Sequence, residues 1–341
     1  MTLGRVNEDV TDLFKSDEKD RKILTLLLDD SRQPLSEIAK KVQLAKNSVK
    51  YRIERMQEQN VLLAFIPVMD ISRFGYSYFH LFIDIDERQP DRRDAFFSHL
   101  KQHPHVRSVI EYHDRWDLEI VMIAKDIQQF NTLVMEMLEE FHDVILERDM
   151  VVDVFEYHAC ALPMLKPEKL LQPIQKDRFQ ETRLDDLDMK LLHMLSQNVR
   201  LPAARIAEQV PLSADAVNYR IKGYIRSGII QSCTILANVS KLGYKWFTVA
   251  VKFKTMNKDL ERRLTEYVRT TSTIVHAEKT IGSWDVILYV LAKETRDFHT
   301  TFKGIKTNFS DSVGAYDAWV GYKEHYFRLL PSVVSASDFI K

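Results

Sequence analysis

Val49-Lys50-Tyr51-Arg52-Ile53 recurs 168 residues later as Val217-Asn218-Tyr219-Arg220-Ile221. At the same offset Asp20-Arg21-Lys22-Ile23-Leu24 meets Asp188-Met189-Lys190-Leu191-Leu192, and Phe74-Gly75-Tyr76 meets Leu242-Gly243-Tyr244. Across residues 20–79 and 188–247, 18 of 60 positions are identical without a gap, where ordinary composition would give roughly 4. Trp116-Asp117 with Trp284-Asp285, Phe130 with Phe298, Glu156 with Glu324 and Leu162-Pro163 with Leu330-Pro331 carry the register onward. The chain is a tandem duplication, so one copy has to be understood before the whole.

Each copy opens with three short helical patterns. Ser16 is placed to cap the first, with Asp17 and Glu18 in the opening turn where the helix dipole favours acids. Ile23, Leu24, Leu27 and Leu28 form its apolar stripe, and Arg32-Gln33-Pro34 ends it. Leu35, Ile38, Ala39 and Val42 make a second stripe. A short connection, Gln43-Leu44-Ala45, leads to a third helix from Lys46 to Gln59. That helix would bury Val49, Ile53 and Met56 and expose Lys46, Asn47, Lys50, Tyr51 and Arg55. Two helices joined by a tight turn, the second basic on its outer face, make a helix-turn-helix. Lys46, Lys50 and Arg52 suit phosphates, whereas Asn47 and Ser48 at the helix start suit base edges in the major groove of double-stranded DNA. Tyr219 and Arg220 are the matching candidates in copy two. A lone basic helix is more often a solvated face; the turn geometry, present twice, favours DNA.

The rest of each copy alternates strand and helix: strand 79–85, helix 91–101, strands 106–112 and 116–124, helix 126–141 and strand 149–157. Copy two repeats this at 247–253, 259–269, 274–280, 284–291, 296–306 and 315–321. The order βαββαβ is the ferredoxin-like split motif. One face of such a sheet is covered by its two helices, and the other, if apolar, is expected to pack on a second sheet, either by dimerisation of chains or by pairing of the two copies as an intramolecular pseudo-dimer. The expected fold class is therefore α+β: two tandem copies of a winged-type helix-turn-helix followed by a ferredoxin-like sensing domain. The domains fall at 16–65 and 66–163 in copy one and 185–233 and 234–331 in copy two. Residues 164–184, with Pro167 and Pro173, form a linker.

Composition limits the alternatives. Hydrophobic residues make up 45% and charged residues 28% of the 341, an ordinary globular balance. No apolar run is long enough to span a membrane, and no secretory signal pattern opens the chain. Cys160 and Cys233 have no CxxC partner, which argues against a disulfide framework or a zinc knuckle. These features point to the cytoplasm. With 48 basic and 49 acidic residues the net charge is −1, so DNA binding has to come from a local patch. No Walker loop, dinucleotide fingerprint or nucleophile elbow is present, and neither a cofactor nor a catalytic residue is expected.

The chain resembles the leucine-responsive regulatory protein (Lrp/AsnC) family. The resemblance rests on Leu184-Asp185-Asp186-Leu187-Asp188-Met189-Lys190-Leu191-Leu192, on Ile38-Ala39 through Ile53, on Gly228-Ile229-Ile230 followed by Leu242-Gly243-Tyr244, and on Gly282-Ser283-Trp284-Asp285. It implies a transcriptional regulator with RAM-type sensing domains, assembly into homo-oligomers and an amino acid or similar effector near the last of these loops. The effector residues so implied are Gly282, Ser283, Trp284 and Asp285 in copy two and Asp114 and Asp117 in copy one, where Asp114 replaces the loop glycine. Copy two carries Ala214, Asp215, Ala216 and Asn218 where copy one has Lys46, Asn47, Ser48 and Lys50, so copy one is expected to hold most of the DNA affinity. Tandem chains of this type are also similar to siroheme decarboxylases, an alternative that would use His113 and Arg115. His99, His103 and His105 are spaced for a metal, but Pro104 interrupts them and no metal site is expected.

Overall fold

The computed structural model describes residues 5–6, 12–159, 162–163 and 183–339. Apart from Arg183 and Leu184, the expected linker lies outside the described residues, as does Cys160. Copy one contains α1 (Glu18–Asp29), α2 (Leu35–Val42), α3 (Lys46–Glu58), β1 (Leu62–Met69), β2 (Ser77–Ile85), α4 (Pro90–Gln102), β3 (Val106–Tyr112), β4 (Leu118–Ala124), α5 (Ile127–Phe141) and β5 (Ile145–Ala159). Copy two contains α6 (Asp186–Gln197), α7 (Ala203–Ala207), α8 (Ala214–Arg226), β6 (Ile230–Ala237), β7 (Lys245–Phe253), α9 (Lys258–Thr270), β8 (Ile274–Gly282), β9 (Val286–Ala292), α10 (Thr295–Asn308) and β10 (Val313–Phe327).

The chain divides into two units, and the division cuts across the duplication. One gathers the described parts of 16–76, 172–237 and 328–341, which hold both helix-turn-helix motifs; the other gathers those of 1–15, 77–171 and 238–327, which hold both sensing domains. The boundaries fall after Tyr76 and Ala237, so β1 and β6 stay whole with the helices that precede them, whereas the expected boundaries at 65 and 233 fall inside these strands.

In the helical unit the apolar stripes pack as their periodicity dictates. Ile23, Leu24 and Leu27 of α1, Ile38, Ala39 and Val42 of α2, and Val49, Ile53 and Met56 of α3 are all buried; full burial of a large aliphatic side chain contributes about 1.5–3 kcal/mol. The cap of α1 is Asp17, not Ser16. Its carboxylate accepts the Asp20 amide at 2.8 Å, while Asp20 accepts the Asp17 amide at 3.1 Å, a reciprocal box that also sets negative charge at the dipole's positive end. Gln43 takes a left-handed conformation, φ 55°, to make the tight turn between α2 and α3. The strand after each recognition helix was not anticipated. β1 and β6 pair antiparallel from Leu62 opposite Ala237 to Met69 opposite Ile230, so each copy supplies half of a ribbon joining the two motifs.

In the other unit, β3-β4-β2-β5 and β8-β9-β7-β10 are the two ferredoxin-like sheets, and they close into one eight-stranded antiparallel barrel. The seams are β5 with β8 and β10 with β3. β5 and β10 are each 15 residues long, well beyond the expected 149–157 and 315–321. The excess arises because part of each strand pairs within its own copy and the rest pairs across the seam. Phe79, Leu81, Ile83, Leu118 and Ile120 point outward onto Phe96 and Phe130 of α4 and α5. Phe247, Val249, Val251 and Leu288 do the same with Leu264 and Phe298 of α9 and α10. The alternate residues of the same strands line the barrel interior. No helix is long and apolar enough to cross a membrane among the described residues.

Candidate nucleic-acid interface and barrel sites

Lys46, Asn47, Ser48, Lys50 and Tyr51 share the exposed face of α3, with Tyr51 65% exposed. Ala45 occupies the cap position without a side-chain hydrogen bond, and the first turn holds no acid. The amides at this helix start therefore keep their capacity for an anion. The counterpart in α8 is closed. Ser213 accepts the Ala216 amide at 3.2 Å, and Asp215 sits in the first turn. Tyr219 is 70% exposed, with Arg226 stacked 5.8 Å from its ring centroid.

The three arginines among the DNA-binding candidates are held in ion pairs within their own motifs. Arg52 Nη1 donates to Asp17 and to Asp20 at 2.7 Å each, and Arg55 Nη2 donates to Asp20 at 2.6 Å. Asp20 is fully buried. Its two arginines neutralise a carboxylate that would otherwise be stranded in the core. Hydrogen bonds to Asp17 and Asp20 hold the Arg52 guanidinium above its ordinary pKa. Copy two repeats the brace: Arg220 Nη1 donates to Asp185 at 2.9 Å and Asp188 at 2.6 Å, and the Tyr224 hydroxyl donates to Asp188 at 2.6 Å. The Arg220 hydrogen bond, foremost, pulls Asp185 down to about 2. These arginines tie the recognition helix to the first helix of its motif. Sequence reasoning missed this because the partner carboxylates lie more than thirty residues away.

The loop residues gather at the barrel seams. Asp114 Oδ2 accepts the Val320 amide of β10 at 2.8 Å, and Ser283 Oγ donates to Asp149 of β5 at 2.5 Å. Gly282 has φ 146°, and a Cβ there would lie 2.6 Å from the Met150 carbonyl oxygen. The glycine is needed for close approach of β8 to β5, not for a hairpin turn. Asp114 is not in the left-handed region, so its backbone does not mimic that glycine. Asp117 and Asp285 instead hold strand ends, accepting the Ile85 and Phe253 amides at 2.7 Å each. Trp284 is half-buried, and its indole nitrogen has no hydrogen-bond partner.

The barrel interior holds a polar cluster that no motif signalled. His80 Nδ1 contacts Glu119 at 2.7 Å, and its Nε2 lies 3.1 Å from Asp153 and 3.3 Å from Glu278. Tyr289 donates to Glu119 at 2.6 Å, Tyr112 donates to the other oxygen of Glu119, and Tyr112 meets Thr248 at 2.8 Å. His276 Nε2 contacts Glu278 at 2.6 Å. Burial opposes charge on His80, but Asp153 and Glu278 outweigh it and raise its pKa well above the ordinary imidazole value. The His99, His103 and His105 rings follow one another at 5.5 and 5.8 Å between centroids, and His105 Nδ1 contacts the Ile123 carbonyl at 2.8 Å. Burial lowers His103 to about 4. His113 lies against Tyr322, ring centroids 4.1 Å apart, and Arg115 is paired with Glu147 at 2.6 Å.

Comparison with known proteins decides the family. The AsnC-type helix-turn-helix domain matches residues 17–57 and again residues 184–223. HTH-type transcriptional regulator Rv2324 of Mycobacterium tuberculosis is 31% identical over 127 residues, which cover 37% of this chain and 84% of that protein. The chain belongs to the Lrp/AsnC family of transcriptional regulators. Another relative, regulatory protein AsnC of Haemophilus influenzae, is 26% identical over 145 residues, 42% of this chain and 95% of its own length. Such relatives match less than half of this Lrp/AsnC chain, as expected for a duplicated one. The fold is similar to the crystal structure of the siroheme decarboxylase NirDL, with a TM-score of 0.62, 13% identity and coverage of 94% of this chain and 96% of that one. At that identity the likeness concerns the fold alone.

Proposed function

We propose that this AsnC-type regulator recognises specific double-stranded DNA chiefly through the open N-terminus of α3, with Lys46 and Lys50 on phosphates and Asn47, Ser48 and Tyr51 toward the bases. The observation that carries this reading is the contrast between the two recognition helices: α3 starts uncapped and free of acids, whereas α8 starts with the Ser213 cap and Asp215. Arg52, Arg55 and Arg220 act as braces beneath that surface, and Tyr219 gives α8 a secondary contact.

An amino acid or similar small effector acts at the seam loops, Gly282 to Asp285 and Asp114, with Asp117 and Asp285 as the scaffold of those loops. The exposed Ser283–Asp149 and Asp114–Val320 bonds support this, since a ligand that replaces either bond shifts the seam it closes. Exposed apolar side chains along β5 and β8, among them Met150, Val154 and Ile281, support assembly of chains into a homo-oligomer.

The test is binding of the purified protein to DNA upstream of its own gene, titrated with salt. A regulator with several phosphate contacts loses at least about a hundredfold in affinity between about 50 and about 200 mM salt and prefers that DNA over an unrelated duplex. Equal, weak and salt-insensitive binding to both would reject the proposal. A tetrapyrrole offered to the same preparation should give no Soret-type shift; a saturable shift would favour the decarboxylase reading.

A further inference from the structure

We propose that the barrel interior binds one divalent transition-metal ion between His80 Nε2, Asp153 and Glu278. These three come from β2, β5 and β8, and their ligating atoms all lie within 4.8 Å of one another. The Nε2 atom is 3.1 Å from Asp153 Oδ1 and 3.3 Å from Glu278 Oε2. Donors around a four-coordinate ion with bonds of about 2.1 Å sit about 3.4 Å apart, so little movement is needed to admit one.

The surroundings orient the three side chains as a ligand set, with hydrogen bonds holding their other polar atoms. His80 is 1% exposed, yet neither its Nε2 nor Asp153 Oδ1 has a hydrogen-bond partner, because the two face each other without suitable alignment. A buried ring nitrogen and a buried carboxylate oxygen left this way are costly, and a metal ion that displaces the Nε2 proton satisfies both at once. The other ring nitrogen of His80 is fixed by Glu119 at 2.7 Å, the carboxylate–histidine arrangement that orients an imidazole toward a metal. Tyr112 and Tyr289 hold Glu119 in turn. His276 engages Glu278 Oε1, leaving Oε2 turned toward His80. One imidazole and two carboxylates suit zinc, iron(II), cobalt(II) or manganese(II) rather than copper(I) or a cluster.

Among the described residues the cluster occurs once. At the 168-residue offset His80, Glu119, Asp153 and Glu278 correspond to Thr248, Ile287, Gly321 and Ile110. A symmetric homodimer of single copies would carry such a site twice or not at all; here the two copies differ at all four positions. Asp153 belongs to copy one and Glu278 to copy two, so the ion would clip together the β5–β8 seam.

The test uses full-length, tag-free protein stripped with a chelator and titrated with cobalt(II) and zinc(II). Wild type should take up one equivalent per chain, show visible cobalt bands and melt at a higher temperature with zinc than with chelator. Asp153→Asn and Glu278→Gln, which keep shape and lose ligand charge, should each weaken uptake at least tenfold and abolish the zinc-dependent rise in melting temperature. A His99→Ala/His103→Ala variant should bind as wild type does. Wild type that retains no stoichiometric metal and melts identically with and without zinc would overturn the proposal, whatever the variants do. Undiminished uptake by both carboxylate variants would overturn it as well. DNA binding enters neither readout, so the outcome is independent of the regulatory reading.

Discussion

Lys252 Nζ lies 3.0 Å from Asp285 Oδ1, and the equivalent place in copy one is taken by an acid, Asp84, beside Asp117. The two loop aspartates make the same backbone bond, to Phe253 and to Ile85, but one has a cation for a neighbour and the other a carboxylate.

That contrast sets a pH dependence. Burial, and then Asp84, push Asp117 up to about 6 from 3.8. A carboxyl that holds its proton more tightly when folded lends stability at low pH, and that contribution is lost as pH rises from about 4 through about 6. Asp117→Asn removes the charge and keeps an acceptor for Ile85. It should stabilise the protein by about 1 kcal/mol at pH 8, after allowance for solvent screening at a half-buried group, and change little at pH 4. Thermal melts of both proteins at the two pH values check this; an equal gain at each would be inconsistent with it.

The arginine braces should show in stability rather than in DNA contact alone. Arg52→Ala leaves the fully buried Asp20 with Arg55 as its remaining ion-pair partner. It should cost about 2–3 kcal/mol in denaturant unfolding. Lys46→Ala and Lys50→Ala, on the exposed face, should stay within about 0.5 kcal/mol of wild type. If Arg52→Ala melts as wild type does, the brace contributes nothing.

Gly282 is constrained by both φ and space. Gly282→Ala puts a methyl 2.6 Å from the Met150 oxygen at φ 146°, so the strands must part there. A loss of about 2 kcal/mol or more is expected, with faster amide exchange in β5 and β8 than elsewhere in the barrel. Ser283→Ala, one residue on, removes a single exposed hydrogen bond and should cost under about 1 kcal/mol. Similar costs for the two would refute the close-approach role.

The helices were legible because burial on a helix writes a period into the sequence, and Val49, Ile53 and Met56 fall where that period requires. The βαββαβ order was legible for the same local reason. β1 and β6 were not, since residues 60–69 and 228–237 share no identical position and the partner of each strand is in the other copy. The full lengths of β5 and β10 were hidden likewise by seams that pair residues more than a hundred positions apart. In the candidate interface the exposed side chains could be named from helical spacing, whereas the roles of Arg52 and Arg220 depended on carboxylates from another helix. His80, Glu119 and Asp153 sit on neighbouring strands of one sheet, and the β5–β8 seam adds Glu278 from the other copy.

The central claim is that DNA affinity resides in α3 more than in α8, and it is tested most directly by measuring Lys50→Ala and Asn218→Ala side by side on the same operator at one salt concentration. Lys50→Ala should bind about five- to tenfold more weakly with a shallower salt slope, and Asn218→Ala should remain within about twofold of wild type. Equal losses from the two substitutions, with both proteins melting as wild type does, would contradict the account.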